Sequence, residues 1–195
     1  TKQATENIPN DLEVYERKKE SLRGRAEEAV EAVISDVVRA EGLGFPLGIL
    51  LPPTDFRFDN PPLILVTSPR NVIRLEGTQL IENDIKMITR SEIEQRIESD
   101  GVTSALVDDL AGLGTYPAFV SDQYELRQLT RTAAHEWLHN YWIFHPLGRS
   151  MWNSSDMYTL NETAADIAGN ELGDRAYQRL GGNLKESDLR YGNTA

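Results

Sequence analysis

His135-Glu136-Trp137-Leu138-His139 brings two imidazoles and a carboxylate into one short stretch. On an α-helix, residues four apart share a face, about 40° apart and one turn from each other. Both histidines can therefore reach one metal ion. Zinc accepts imidazole nitrogen, and at a catalytic centre it takes three protein ligands and keeps a fourth position for water. A glutamate directly after the first histidine has a defined task in this pattern, taking the proton of the metal-bound water. His135 and His139 are thus candidate ligands for Zn²⁺, and Glu136 is the candidate general base. The chain has 3 histidines, all between His135 and His145. Surface decoration does not explain such clustering.

The third ligand must come from elsewhere. Glu162 and Asp166 are again four apart, so they share a helix face. A second helix could supply Glu162 to the metal, while Asp166 accepts the free ring N–H of a ligand histidine and fixes its orientation. Two other readings compete. Thr159-x-x-Glu162 is also a capping box, in which the glutamate bonds its own helix N-terminus. His145 sits ten residues after His135, the ligand spacing of H-E-x-x-H-x-x-G-x-x-H sites, and Met151 or Met157 could supply the Met-turn of such sites. However, Trp142 stands where that pattern needs its turning glycine, and a bulky residue resists the left-handed conformation there.

With these residues in place, the sequence resembles the gluzincins, the thermolysin-like clan of zinc peptidases. Their pattern is H-E-x-x-H, then about twenty residues, then N-E-x-x-x-D. His135, Glu136, His139, Asn161, Glu162 and Asp166 match it. The resemblance implies a zinc-dependent peptidase in which His135, His139 and Glu162 hold the metal and Glu136 works as base. It also implies an oxyanion-stabilising His or Tyr. Tyr158, Tyr141, Arg149 and His145 are candidates, and sequence does not rank them. A peptide or protein would be the substrate. Two further classes stay open: a metal-dependent hydrolase or lyase acting on other substrates, and a non-catalytic, zinc-stabilised interaction domain. Glu136 argues against the latter, because a structural zinc site needs no base.

Composition narrows the rest. With 20 basic against 31 acidic residues the net charge is −11. That balance argues against a nucleic-acid surface or a polybasic membrane patch. Hydrophobic residues make up 39% of the 195, enough to bury a core in one domain. Cysteine is absent, which removes disulfides and thiol chemistry. No stretch has the apolar length of a membrane-spanning helix, and no signal peptide is visible. The chain begins at Thr1 rather than Met, so a mature form or an excised fragment is expected.

The elements that must position the motif follow from periodicity. Residues 1–10 read as a polar, frayed end. Leu12, Tyr15, Lys19, Leu22, Ala26, Ala29, Val33, Val37 and Ala40 recur at steps of three and four, which predicts a long amphipathic helix over 11–40. Asn10 or Asp11 would cap it, and Gly42 and Gly44 would stop it. Its expected role is packing on the core. A stalk from a membrane and pairing with another chain are the alternatives. A short strand is expected at 47–51, then strands at 63–67, 72–75 continuing to 79–81, 102–107 and 115–120. Ser91-x-x-Glu94 predicts a capping box opening a short helix, and Gly112-Leu113-Gly114 a turn. Gluzincins place an edge strand beside the metal helix, where it pairs with extended substrate. The stretch 115–120 is the candidate.

Ser121 or Asp122 would cap the metal helix, which should run to 144 and bury Leu126, Leu129, Ala133, Trp137, Leu138 and Tyr141. His145-Pro146 ends it, and 146–156 reads as a loop. The glutamate helix is expected over 160–180 with a break near Gly173. Ala164, Ala165, Ala168 and Gly169 would let it approach the metal helix closely. The expected fold class is therefore α+β. A zincin-like arrangement packs a small mixed sheet against an H-E-x-x-H helix and a glutamate helix, with a long N-terminal helix added. One domain would divide into 1–44, 45–120, 121–182 and a tail at 183–195.

A second resemblance rests on Ser68-Pro69-Arg70, Tyr116-Pro117, Ala134-His135-Glu136-Trp137, Pro146-Leu147-Gly148 and Asn161-Glu162-Thr163-Ala164-Ala165. These phrases look like a group of uncharacterised bacterial membrane-associated proteins classed as metallopeptidases. It implies membrane contact through segments outside these residues, an extracytoplasmic or membrane-associated setting, and a chain that stops before the group's C-terminal part. The sequence is silent on oligomeric state.

Overall fold

The computed structural model describes residues 8–185. The expected frayed start at 1–7 and the end of the expected tail, 186–195, lie outside them. The architecture is mixed α+β, with five α-helices and two three-stranded sheets among the described residues.

Helix α1 (Ile8–Ala40) is longer than its periodic stripe predicts and already runs through Asn10 and Asp11, so neither caps it. Its C-terminal half buries Val30, Val33, Ile34, Val37 and Val38. Ala29 and Ala40, expected on that face, are exposed. A glycine at positive φ, Gly42, follows the helix and stops it. The strand expected at 47–51 does not form. Pro46 and Gly48 instead build a 3₁₀ turn, Pro46–Gly48, whose exposed Leu47 sits at φ 72°. Proline fixes one side of that turn and glycine the other, and both disfavour a strand.

The first sheet holds β1 (Phe56–Phe58), β5 (Gly112–Leu113) and β6 (Ala118–Val120) in the order β1-β6-β5. β1 runs parallel to β6, and β5 antiparallel. The second sheet is wholly antiparallel, with β2 (Leu63–Pro69) between β3 (Gly77–Ile81) and β4 (Thr103–Asp109). The strand expected at 72–75 is a turn and an extended link instead, and β3 starts only at Gly77. The single mixed sheet expected from sequence is thus two small ones. The glycine turn at 112–114 is in part a strand.

Each sheet has one edge closed by the same device. Glu27 and Glu31, one turn apart on α1, accept hydrogen bonds from the backbone N–H of Phe58 (2.8 Å) and Phe56 (2.9 Å). Glu94 and Glu98 of α2 (Met87–Glu98) do the same for Val107 (2.8 Å) and Ala105 (3.1 Å) of β4. The four-residue helical step is about 6 Å, close to the two-residue strand step of about 6.6 Å, so two carboxylates meet two outward amides. Glu94 is therefore a strand partner, not half of a capping box; α2 has already begun four residues before Ser91.

Two apolar clusters result. The larger joins α1, the first sheet, α3 (Leu126–Trp142) and α5 (Ser155–Arg179) around Ile34, Val38, Val120, Trp137 and Leu138. The smaller packs Leu63, Leu65 and Val107 under Ile93 and Ile97 of α2. Helix α3 starts at Leu126 without a side-chain cap. Ser121 is buried before it, and Asp122 is engaged by Lys19 and Arg23 of α1. The expected loop at 146–156 contains a short helix, α4 (Pro146–Arg149), and a 3₁₀ turn, Met151–Asn153. Helix α5 begins five residues earlier than expected, capped by the Ser154 hydroxyl, and continues unbroken through Gly173. No helix among the described residues is long and apolar enough to cross a membrane.

Candidate metal centre

Helix α3 carries its motif on a rigid base. Leu129, Ala133, Trp137 and Leu138 are buried, and the Trp137 indole N–H donates to the Pro52 carbonyl at 3.1 Å. This fixes the helix about its own axis and turns His135 and His139 towards α5. The two helices cross at contact distance. A Cβ added at Gly173 would lie 2.3 Å from Arg131 Cα, and one at Gly169 would lie 2.9 Å from His135 Cα. Only glycine permits this approach. Below the crossing, Asp174 of α5 receives a fork from Arg127 (2.9 and 2.9 Å) and another from Arg131 (2.7 and 2.8 Å). Bidentate pairs of this kind fix orientation as well as distance.

The crossing brings four residues singled out from sequence into one cluster. Glu162 Oε2 stands 3.4 Å from His135 Nε2 and 3.5 Å from His139 Nε2. The two Nε2 atoms are 2.9 Å apart. Asp166 Oδ1 lies 3.0 Å from His135 Nδ1. Thr159 has no part in a capping box with Glu162, because its hydroxyl donates to Ser155 O and α5 is capped at Ser154. Sequence quoted Asn161 without a role. Its Oδ1 lies 3.0 Å from His139 Nδ1, while its amide N–H donates to Leu147 O at 3.3 Å. The signal was present: Asn161 continues the buried stripe Ala165, Gly169, Leu172, Ala176, and a polar residue in such a stripe needs a partner.

These partners determine the protonation of the imidazoles. Asp166 and the Asn161 carbonyl oxygen are acceptors, so each Nδ1 carries the proton. In the neutral rings both Nε2 atoms then present lone pairs to one another and to a carboxylate. The three donor atoms converge so closely that either a proton or a cation must lie among them, and a cation satisfies all three at once. Ligand atoms around a tetrahedral ion with bonds of about 2.0–2.2 Å sit about 3.3–3.6 Å apart. Two of the three separations fall in that range, and the third is shorter. His135, Glu136 and His139 also offer ligand atoms within 4.8 Å of one another, but Glu162 makes the closer approach to both rings.

Glu136 is buried and faces a different neighbour. A Cβ on Gly112 of β5 would lie 2.4 Å from its Oε1, and one on Gly114 would lie 3.4 Å from its Oε2. Sequence read these glycines only as a turn. Burial pushes the Glu136 pKa up to about 8; His139 opposes the shift, and the charges of Glu162 and Asp166 add to it. Glu162 behaves oppositely. Burial disfavours its charge, yet His135 and His139, when their Nε2 atoms carry a proton, outweigh that and hold its pKa at about 2. Tyr158 is raised to about 12 by burial, by the charge of Glu162 and by its hydrogen bond to that carboxylate. Its phenol therefore stays protonated near neutrality.

The cluster opens into a cleft of about 600 Å³, a size that suits ligand sites. Gly112, Leu113, Gly114 and Thr115 form one wall, Ile64, Thr78 and Leu80 another, and Met151, Trp152 and Tyr158 a third. His145 is not on the cleft wall. Its ring packs against Tyr141 at 4.5 Å, and its buried Nε2 has no hydrogen-bond partner. The stretch 115–120, expected as a substrate edge, is not one: β6 lies between β1 and β5 and is paired on both sides. Terminal strands β5 and β3 line the cleft instead, and neither carries the glutamate pair that closes β1 and β4. Compared with known proteins, the chain matches no family model, no curated protein and no solved structure.

Proposed function

We propose that this protein is a zinc-dependent metallopeptidase of the gluzincin type, with a zincin-like fold, His135, His139 and Glu162 as metal ligands and Glu136 as general base. One observation carries the reading: the donor atoms of a His₂Glu set converge within 3.5 Å, the ligand set of a zinc site that keeps a position open for water. Zinc bound there would lower the pKa of its water towards about 7 and polarise the scissile carbonyl.

The chain's own residues do the rest. Asp166 and Asn161 hold the two imidazoles in the metal-binding tautomer. Glu136, packed against β5 at the cleft, acts in its ionised form, which burial disfavours near neutrality and a cation held by His135, His139 and Glu162 would favour; it then takes the proton of the attacking water and delivers it to the leaving amine. Tyr158 donates its hydroxyl to the developing oxyanion. A peptide is the favoured substrate because the terminal strands β5 and β3 line the cleft, a place suited to an extended strand. A closed, purely structural site would need a fourth protein ligand, and the remaining histidine, His145, packs against Tyr141.

The test is metal content by elemental analysis on wild type, Glu162→Ala and His145→Ala, followed by cleavage of a peptide library. Zinc near one per chain, lost in Glu162→Ala and kept in His145→Ala, is the expected pattern. The reverse pattern would move the third ligand to His145. Metal without cleavage of any peptide would sink the peptidase reading.

A further inference from the structure

Tyr158 sits in the first turn of α5. Its backbone N–H donates to Ser154 O at 3.0 Å, and it stands one turn before Glu162 on the same face. Its hydroxyl bonds the Glu162 carboxylate. The first turn of a helix lacks part of the backbone ladder and frays most readily. A side chain there keeps its direction only if something outside the ladder holds it. Trp152 supplies such a hold. It lies in the 3₁₀ turn Met151–Asn153, two residues before the Ser154 cap. Its indole meets the Tyr158 ring at 5.5 Å between centroids and 40° between planes, within the range in which aromatic pairs attract. The pairing is close kin to the hydrophobic staple, in which the residue before the cap packs on the fourth helical residue and fixes how the chain enters the helix.

Trp152 belongs to neither apolar cluster. It is 78% exposed, and among the described residues Tyr158 is the one ring it meets. Core packing does not account for an indole at this position, which is on the wall of the metal cleft. We propose that Trp152 is a positioning residue for Tyr158. The phenol has two anchors, Glu162 at its hydroxyl and Trp152 at its ring. The inference rests on the peptidase reading, in which the hydroxyl leaves the Glu162 carboxylate for the developing oxyanion. Of the two anchors only the indole then remains. It keeps the phenol ring beside the metal ligands while the hydroxyl changes acceptor, so the donor is already in place when charge develops.

The test uses the peptide that wild type cleaves best from a library, with zinc content and melting temperature measured on every variant. Trp152→Ala should lower kcat by about tenfold or more, part of the roughly 10²–10³-fold that one oxyanion donor supplies. KM, zinc content and melting temperature should stay near wild type. Trp152→Phe keeps a ring against Tyr158 and should restore most of kcat. In the Tyr158→Phe background Trp152→Ala should cost little more, because two residues acting through one hydroxyl do not add. A raised KM at unchanged kcat would make Trp152 a substrate contact and overturn the proposal. So would an equal fall in the Tyr158→Phe background. Loss of zinc or of melting temperature in Trp152→Ala would make the indole part of the α5 cap and overturn it too. A zinc-loaded wild type that cleaves no peptide removes the peptidase reading, and this role with it. A wild type that cleaves while Trp152→Ala keeps both kcat and KM removes only the role given to Trp152.

Discussion

Gly112 and Glu136 come so close that a methyl group on the glycine would lie 2.4 Å from the carboxylate oxygen. The strand thereby confines the side chain that the proposed mechanism uses as base. Gly112→Ala must displace Glu136 or push β5 outwards, at about 1–3 kcal/mol of overpacking. Peptidase turnover should fall by at least tenfold while bound metal stays near wild type. Metal analysis beside a kcat measurement checks this. Unchanged kcat would mean that Glu136 needs no such confinement.

Glu136→Gln keeps the shape of the side chain and removes its basicity. Turnover should drop by about 10²–10⁴-fold, with metal content unchanged. Retained activity would remove Glu136 from the base role.

Asn161 and Asp166 act through the histidines they bond. Asn161→Ala and Asp166→Ala should each weaken metal affinity by about 10–100-fold, measured by competition with a chelator. Asn161→Ala should also lower stability, since the residue is fully buried and also bonds Leu147 O. An Asn161→Ala variant with wild-type affinity would show that His139 keeps its tautomer without that partner.

Asp174 fastens α5 to α3. Its pKa is well below the ordinary value because hydrogen bonds from Arg127 and Arg131 outweigh its burial. A depressed folded-state pKa adds stability that is complete above the unfolded value of about 3.9 and fades as pH falls towards the folded one. Asp174→Ala should cost about 2–3 kcal/mol near neutrality, somewhat under the figure for a fully buried pair. The gap in melting temperature between variant and wild type should narrow below about pH 4. Parallel melts at pH 7 and pH 3 test it, and a gap that does not shrink contradicts the assignment.

What could be read from sequence was whatever the helical period controls. His135 with His139, and Glu162 with Asp166, are each four apart, so their shared faces followed from spacing alone. Val33 and Val37 fell on the buried side of α1 for the same reason. Pairing between distant segments was not legible. β6 looked like an edge because nothing local says that β1, some sixty residues earlier, lies along its far side. Gly112 read as a turn because its contact with Glu136 depends on how β5 crosses α3. Glu94 looked like a cap because its partner, the Val107 amide, is thirteen positions away.

The paired glutamates on α1 and α2 leave each sheet with one terminal strand that no such pair closes, and both of these strands line the same cleft. Among the described residues, a foreign strand able to add to either sheet would therefore enter this cleft. On the proposed reading, capture of a substrate and unwanted self-aggregation would draw on the same two strands. Solubilising changes made on β3 or β5, such as an added lysine or proline, would then lower the proposed peptidase activity. The same changes on β1 or β4 would gain nothing, because those edges are already occupied.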